Sequence, residues 1–110
     1  MQERRKLERH HMSSSLEVYD LDSGQLLGRV VDLHAEGLML LSESPIELNK
    51  AWALQVNLPM VLNGISEFIL DAESRWNRES IGGHQFWTGL QFTRLPEESR
   101  QCIERMVSSR

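Results

Sequence analysis

The chain has a single cysteine, Cys102. No internal disulfide can form, and a reducing, cytoplasmic compartment is expected. No window approaches ~18 consecutive apolar residues, so membrane insertion is not expected. The N-terminus carries charge without an apolar stretch behind it, and a secretory signal is not expected either. There is no G-x-S-x-G elbow, no P-loop and no Rossmann glycine pattern. Cys102 has no evident base partner, so the chain is not expected to be an enzyme. No internal repeat is visible, and the only low-complexity stretch is Ser13-Ser14-Ser15.

What remains is an ordinary soluble composition. The 110 residues are 40% hydrophobic and 25% charged, enough for one domain with one core. The charge is unevenly placed. The formal net charge is −4, yet residues 1–11 hold Arg4, Arg5, Lys6 and Arg9 against only Glu3 and Glu8. The acidic remainder would repel DNA or RNA, and neither is expected as a partner. A local basic arm can still capture a compact anion. Residues 1–11 read as a flexible arm, and residues 12–110 as a single domain.

Beyond the arm, apolar residues recur every second position. Leu16 and Val18 open this pattern, and residues 26–34 form a run rich in apolar and β-branched residues. Residues 35–37 are a short break, with Gly37 available for a positive φ. Trp52, Leu54, Val56 and Leu58 share one face of the next strand; Phe68, Leu70, Ala72 and Trp76 share a face of another. Phe86, Leu90 and Phe92 repeat the pattern. Turn signals stand at residues 22–25, Asn63-Gly64 and 80–84. The period then changes. Pro96, Glu97 and Glu98 suit a first helical turn, and Cys102, Ile103, Met106 and Val107 form one stripe. A helix is predicted over about residues 96–108. The fold class is all-β: a six-stranded antiparallel barrel or sandwich followed by one α-helix.

Two short motifs stand out. Arg5-x-x-x-Arg9 places two guanidinium groups on one side of a helix, and equally on one side of a strand. Alone it is a solvated tail. In Asp32-Leu33-His34-Ala35-Glu36-Gly37, Asp32 and His34 share a strand face. Alone it is an ordinary strand end.

In this order, before alternating strands and a terminal helix, the two motifs resemble those of the PilZ domain. That family pairs an RxxxR arm with a [D/N]xSxxG strand motif on a small antiparallel β-barrel. Gly89-Leu90-Gln91-Phe92 resembles its last strand. The resemblance spans essentially the whole chain. It implies cyclic di-GMP as ligand, no further cofactor, and an effector protein as partner. It implies ligand contacts from Arg5, Arg9, Asp32 and Gly37. An arginine before the motif, here Arg4, goes with two stacked ligand molecules. The chain departs from the pattern at His34, where the family has serine. Histidine can still hydrogen-bond, but it is bulkier and can titrate. Trp76 is a candidate stacking residue.

These residue types suit that ligand. A guanidinium fork matches the O6 and N7 acceptors of guanine, and also phosphate. Guanine's Watson–Crick edge presents N–H donors, which a carboxylate such as Asp32 can accept. Each bidentate pair contributes about 1–3 kcal/mol of base discrimination, against about 8 kcal/mol for micromolar binding. The expected function is a cyclic di-GMP receptor whose arm orders on the barrel and signals to a partner protein. The alternative is a protein–protein adaptor that keeps the barrel but no longer binds the ligand; His34 favours it. His10 and His11 point to opposite sides of an extended segment, so no metal site is expected.

Overall fold

The computed structural model describes residues 16–62 and 64–108. The arm, with Arg4, Arg5, Arg9, His10 and His11, lies outside the described residues, as does Asn63.

The alternating runs form six strands. They are β1 (Glu17–Asp20), β2 (Leu26–His34), β3 (Gly37–Ser42), β4 (Ala51–Leu62), β5 (Ile65–Glu79) and β6 (Phe86–Arg94). One helix, α1 (Glu97–Ser108), follows. All neighbouring strands pair antiparallel. Their order is β1-β2-β3-β6-β5-β4, and β1 closes the ring against β4. Closure removes the exposed sheet edge that short strands would otherwise leave. The predicted turns are realised with glycines at positive φ: Gly24, Gly64, Gly82 and Gly83.

Alternation sends one side chain in two to the interior. Val18, Val30, Leu40, Leu54, Val56 and Leu70 are fully buried there. β3 and β4 are not neighbours in the barrel, so residues 43–50 must cross from one wall to the other. Ile46 in this crossing is buried in the core. The crossing is tied down by Ser74 on β5. The Ser74 hydroxyl donates to Glu47 O (2.6 Å) and accepts from Trp52 Nε1 (3.2 Å) and Lys50 N (3.3 Å). Lys50 Nζ lies 4.0 Å from the centroid of the Trp52 ring, a cation–π contact over a largely buried indole.

Helix α1 packs against β2 and β5. These strands stand apart in the ring, so the helix bridges an opening of the barrel. Cys102 and Ile103 are buried, with Met106 and Val107 packed beside them. The Ser99 hydroxyl donates to Ile69 O and fixes the first turn to β5. Burial, reinforced by nearby Glu98, pushes the Cys102 thiol pKa up. A thiol of that kind has little thiolate and is a poor nucleophile. No helix among the described residues is long and apolar enough to cross a membrane.

Candidate ligand-binding site

Two β-bulges shape the outer wall. In β2 the register runs Val30↔Leu40 and then Asp32↔Met39, so Val31 is an extra residue. Val30 and Leu33 consequently both face the core, and Asp32 and His34 both face outward. In β5 the register runs Ser74↔Leu90 and then Trp76↔Gly89, so Arg75 is the extra residue. Phe68, Leu70, Ala72 and Ser74 face the core, and the alternation then breaks.

This bulge corrects the reading of Trp76. Plain alternation puts it on the face of Phe68 and Leu70. The inserted Arg75 moves it to the outer wall, where it is 44% exposed. Its partner there is Gly89. A Cβ on Gly89 would meet Trp76 Nε1 at 2.3 Å, Cε2 at 2.4 Å and Cζ2 at 2.7 Å. The indole therefore lies across the glycine, as an aromatic ring covers a bare strand position. One ring face rests on the sheet and the other is open.

Gly37 is also corrected. Its φ is not positive. A Cβ there would meet Leu90 O at 2.3 Å, so the glycine lets β3 and β6 approach each other. That requirement comes from the barrel and holds whether or not a ligand approaches.

Register now assembles the site. Asp32, Met39, Gly89 and Trp76 form one outer row across β2, β3, β6 and β5. Three strand spacings separate its ends, about 14 Å along the wall. His34, Gly37, Gln91 and Glu73 form the next row. Asp32, His34, Glu36, Met39, Arg75, Trp76, Gly89 and Gln91 line a single cavity of about 360 Å³. Three of the sequence candidates, Asp32, His34 and Trp76, are thus brought together although 44 residues separate the first from the last. Gly37 belongs to the adjoining row and is not among the cavity-lining residues.

The polar groups are partly engaged. Asp32 Oδ1 accepts from the Leu33 backbone N–H at 3.1 Å. Its second oxygen has no hydrogen bond among the described residues. His34 Nδ1 accepts from the Glu36 N–H at 3.3 Å. That bond assigns the proton of the neutral ring to Nε2, which is left as a donor. Arg75 Nη1 donates to Glu73 Oε1 at 2.8 Å. The turn between β2 and β3 is held to β6 by Phe92 N donating to Glu36 O at 2.9 Å.

Sequence reasoning missed Arg75, Glu36 and Gln91 as lining residues. Gln91 had a signal, since it sits two residues from Gly89 and shares its face. Arg75 had one too, since plain alternation puts it on the outer face, but the same alternation turned Trp76 away from it. Among the described residues no group of three or more His, Cys, Asp or Glu side chains could hold a metal ion.

Comparison with known proteins adds the family. The family model described as PilZ domain matches residues 3–109. No curated protein matches the chain. Among solved structures, the Bacillus subtilis inhibitor of motility MotI/DgrA is similar at a TM-score of 0.70 and 12% identity, covering 99% of this chain and 52% of that one. MrkH of K. pneumonia in its apo state is similar at a TM-score of 0.61 and 13% identity, covering 99% of this chain and 52% of its own. A second MrkH crystal gives 0.62 and 15%, covering 99% and 50%. At these identities the likeness is one of fold. The chain spans about half the length of the solved proteins it matches.

Proposed function

The chain belongs to the PilZ domain family, and from that premise we propose that it is a cyclic di-GMP receptor acting through a partner protein. One observation carries this reading. Asp32, His34 and Trp76 line one outer cavity, in a chain whose sequence also carries Arg5-x-x-x-Arg9.

The chemistry divides between the two halves. The cavity lining holds two carboxylates, Asp32 and Glu36, and one permanent cation, Arg75. By charge alone it is a poor place for a dianion. It is a good place for a guanine. Trp76 offers a stacking face worth about 1–3 kcal/mol per base. The free oxygen of Asp32 accepts from the N–H groups of the Watson–Crick edge. The phosphates need the arm. Arg4, Arg5 and Arg9 supply forks that match phosphate oxygens and the O6/N7 edge. In this reading the ligand bridges arm and barrel, and the arm closes over the outer wall. Arg4 permits a second, stacked ligand molecule. The reordered surface is what an effector protein in the cytoplasm recognises.

His34 occupies the place of the family's serine and presents Nε2–H as a donor in place of a hydroxyl. It is the feature that favours the alternative, an adaptor that no longer binds the ligand. Isothermal titration with cyclic di-GMP separates them. The receptor reading expects micromolar binding or better, about 8 kcal/mol, lost in the Arg5→Ala/Arg9→Ala double variant and weakened in Asp32→Ala. Absence of heat at high micromolar ligand, followed by binding in His34→Ser, supports the adaptor reading instead.

A further inference from the structure

Arg75 sits where the β5 bulge places it. It has no register partner on β6, since Ser74 pairs with Leu90 and Trp76 with Gly89. Two successive residues at a bulge can point to the same side, whereas strand neighbours otherwise alternate. Arg75 and Trp76 accordingly line the same cavity. The guanidinium is roughly half exposed and makes one hydrogen bond among the described residues, Nη1 to Glu73 Oε1 at 2.8 Å. That bond holds one corner of the fork and leaves its remaining donors unused. The indole next to it rests on Gly89 with its other face open. An aromatic platform with a tethered planar fork at its rim is an arrangement for reading the edge of a stacked base.

We propose that Arg75 is a specificity-determining residue, which selects guanine over adenine by donating to the O6/N7 edge of a base stacked on Trp76. The inference rests on the receptor reading above and deepens it. Guanine presents two adjacent acceptors on that edge, N7 and O6. Adenine presents N7 as an acceptor but an amino donor in place of O6. A fork of donors satisfies the first and opposes the second. Lysine keeps the charge but lacks the planar fork. Glu73 is a positioning residue in this scheme: it fixes the guanidinium and touches no ligand.

The test measures cyclic di-GMP and cyclic di-AMP against the wild-type chain, Arg75→Ala and Arg75→Lys by calorimetric titration. Arg75 is on the outer wall, and a urea unfolding midpoint for each variant verifies the fold. The wild type is expected to prefer cyclic di-GMP. Both variants are expected to lose about ten- to a hundredfold in affinity for cyclic di-GMP, with little change for cyclic di-AMP, so that the preference collapses. Three results overturn the proposal while leaving the receptor reading intact. They are an unchanged preference in both variants, an equal loss for both ligands that lysine restores, and equal wild-type affinity for the two ligands. The second would make Arg75 a charge contact to phosphate. A wild-type chain that binds neither ligand overturns the receptor reading and this inference together.

Discussion

Gly89→Ala tests the proposed stacking platform most directly. The new methyl would stand 2.3 Å from Trp76 Nε1, 2.4 Å from Cε2 and 2.7 Å from Cζ2, where ordinary contact begins near 3.4 Å. The ring must therefore retreat by about 1.1 Å or rotate away. The backbone of β6 can stay, because the obstacle is a side chain on the outer wall. Trp76 is 44% exposed, so a little over half of it is covered. For a large aromatic that is about 140 Å², with a ceiling of about 3.5 kcal/mol at ~25 cal/mol/Å². Only part of that contact is lost, and the unfolded chain already buries some of it. A destabilisation of about 1–2 kcal/mol is expected. Ligand binding is expected to suffer more clearly. In the proposed receptor reading, misplacing the platform removes about 1–3 kcal/mol of stacking per base, or about five- to 150-fold in affinity for cyclic di-GMP. The assays are a urea midpoint, tryptophan emission and calorimetric titration. Unchanged emission with unchanged affinity would refute the contact between indole and glycine and the stacking role built on it.

Four further outcomes are expected. Gly37→Ala puts a methyl 2.3 Å from Leu90 O; that backbone atom cannot move without disturbing the β3–β6 ladder, so about 3 kcal/mol of stability is lost, and a near wild-type urea midpoint would contradict the close approach. Ser74→Ala strands the buried Trp52 indole N–H and takes away the donor to the part-buried Glu47 O and is expected to cost about 2–3 kcal/mol, with recovery absent in Ser74→Val because shape is not the issue. The Thr88 hydroxyl is fully buried without a hydrogen-bond partner among the described residues, so Thr88→Val is expected to raise the thermal midpoint, by about 1 kcal/mol of stability, and a lower midpoint counts against that reading. Arg100, then Gln101, hold the Glu97 carboxyl below its ordinary pKa; a depressed folded pKa gives stability that is present above the ordinary value and lost as pH falls through the lowered one, so Glu97→Gln should flatten the acid limb of a pH–stability profile slightly and leave neutral pH nearly unchanged.

Much of the fold was legible because burial in a barrel writes itself as alternation. Trp52, Leu54 and Val56 read as one inward face and are one. The helix was legible through its change of period, and observed Glu97–Ser108 lies within the expected span. The geometry of the candidate site was half legible. Asp32 and His34 are two apart on a single strand, so local spacing was enough to put them on one face. Trp76 was named, yet its face was misread. Alternation extrapolated through Ser74 ignores the inserted Arg75, and a bulge has no local signature in Glu73-Ser74-Arg75-Trp76. One reason given for Gly37, freedom in φ, does not hold. A glycine at a turn suggests freedom in φ, whereas this one answers to the carbonyl of Leu90 across the sheet.

Pattern and composition by themselves determined an all-β chain with a terminal helix, an acidic body behind a basic arm, and two short motifs whose resemblance pointed to one family. Each of these is a property of neighbouring residues or of totals. Tertiary structure decided the rest. The closing of β1 on β4 placed β2, β3, β6 and β5 side by side. Only that order sets Asp32, Met39, Gly89 and Trp76 in one row, and only the β5 bulge turns Trp76 to the outer face beside Arg75. Strand order and register depend on pairings between segments distant in sequence, which no local period encodes.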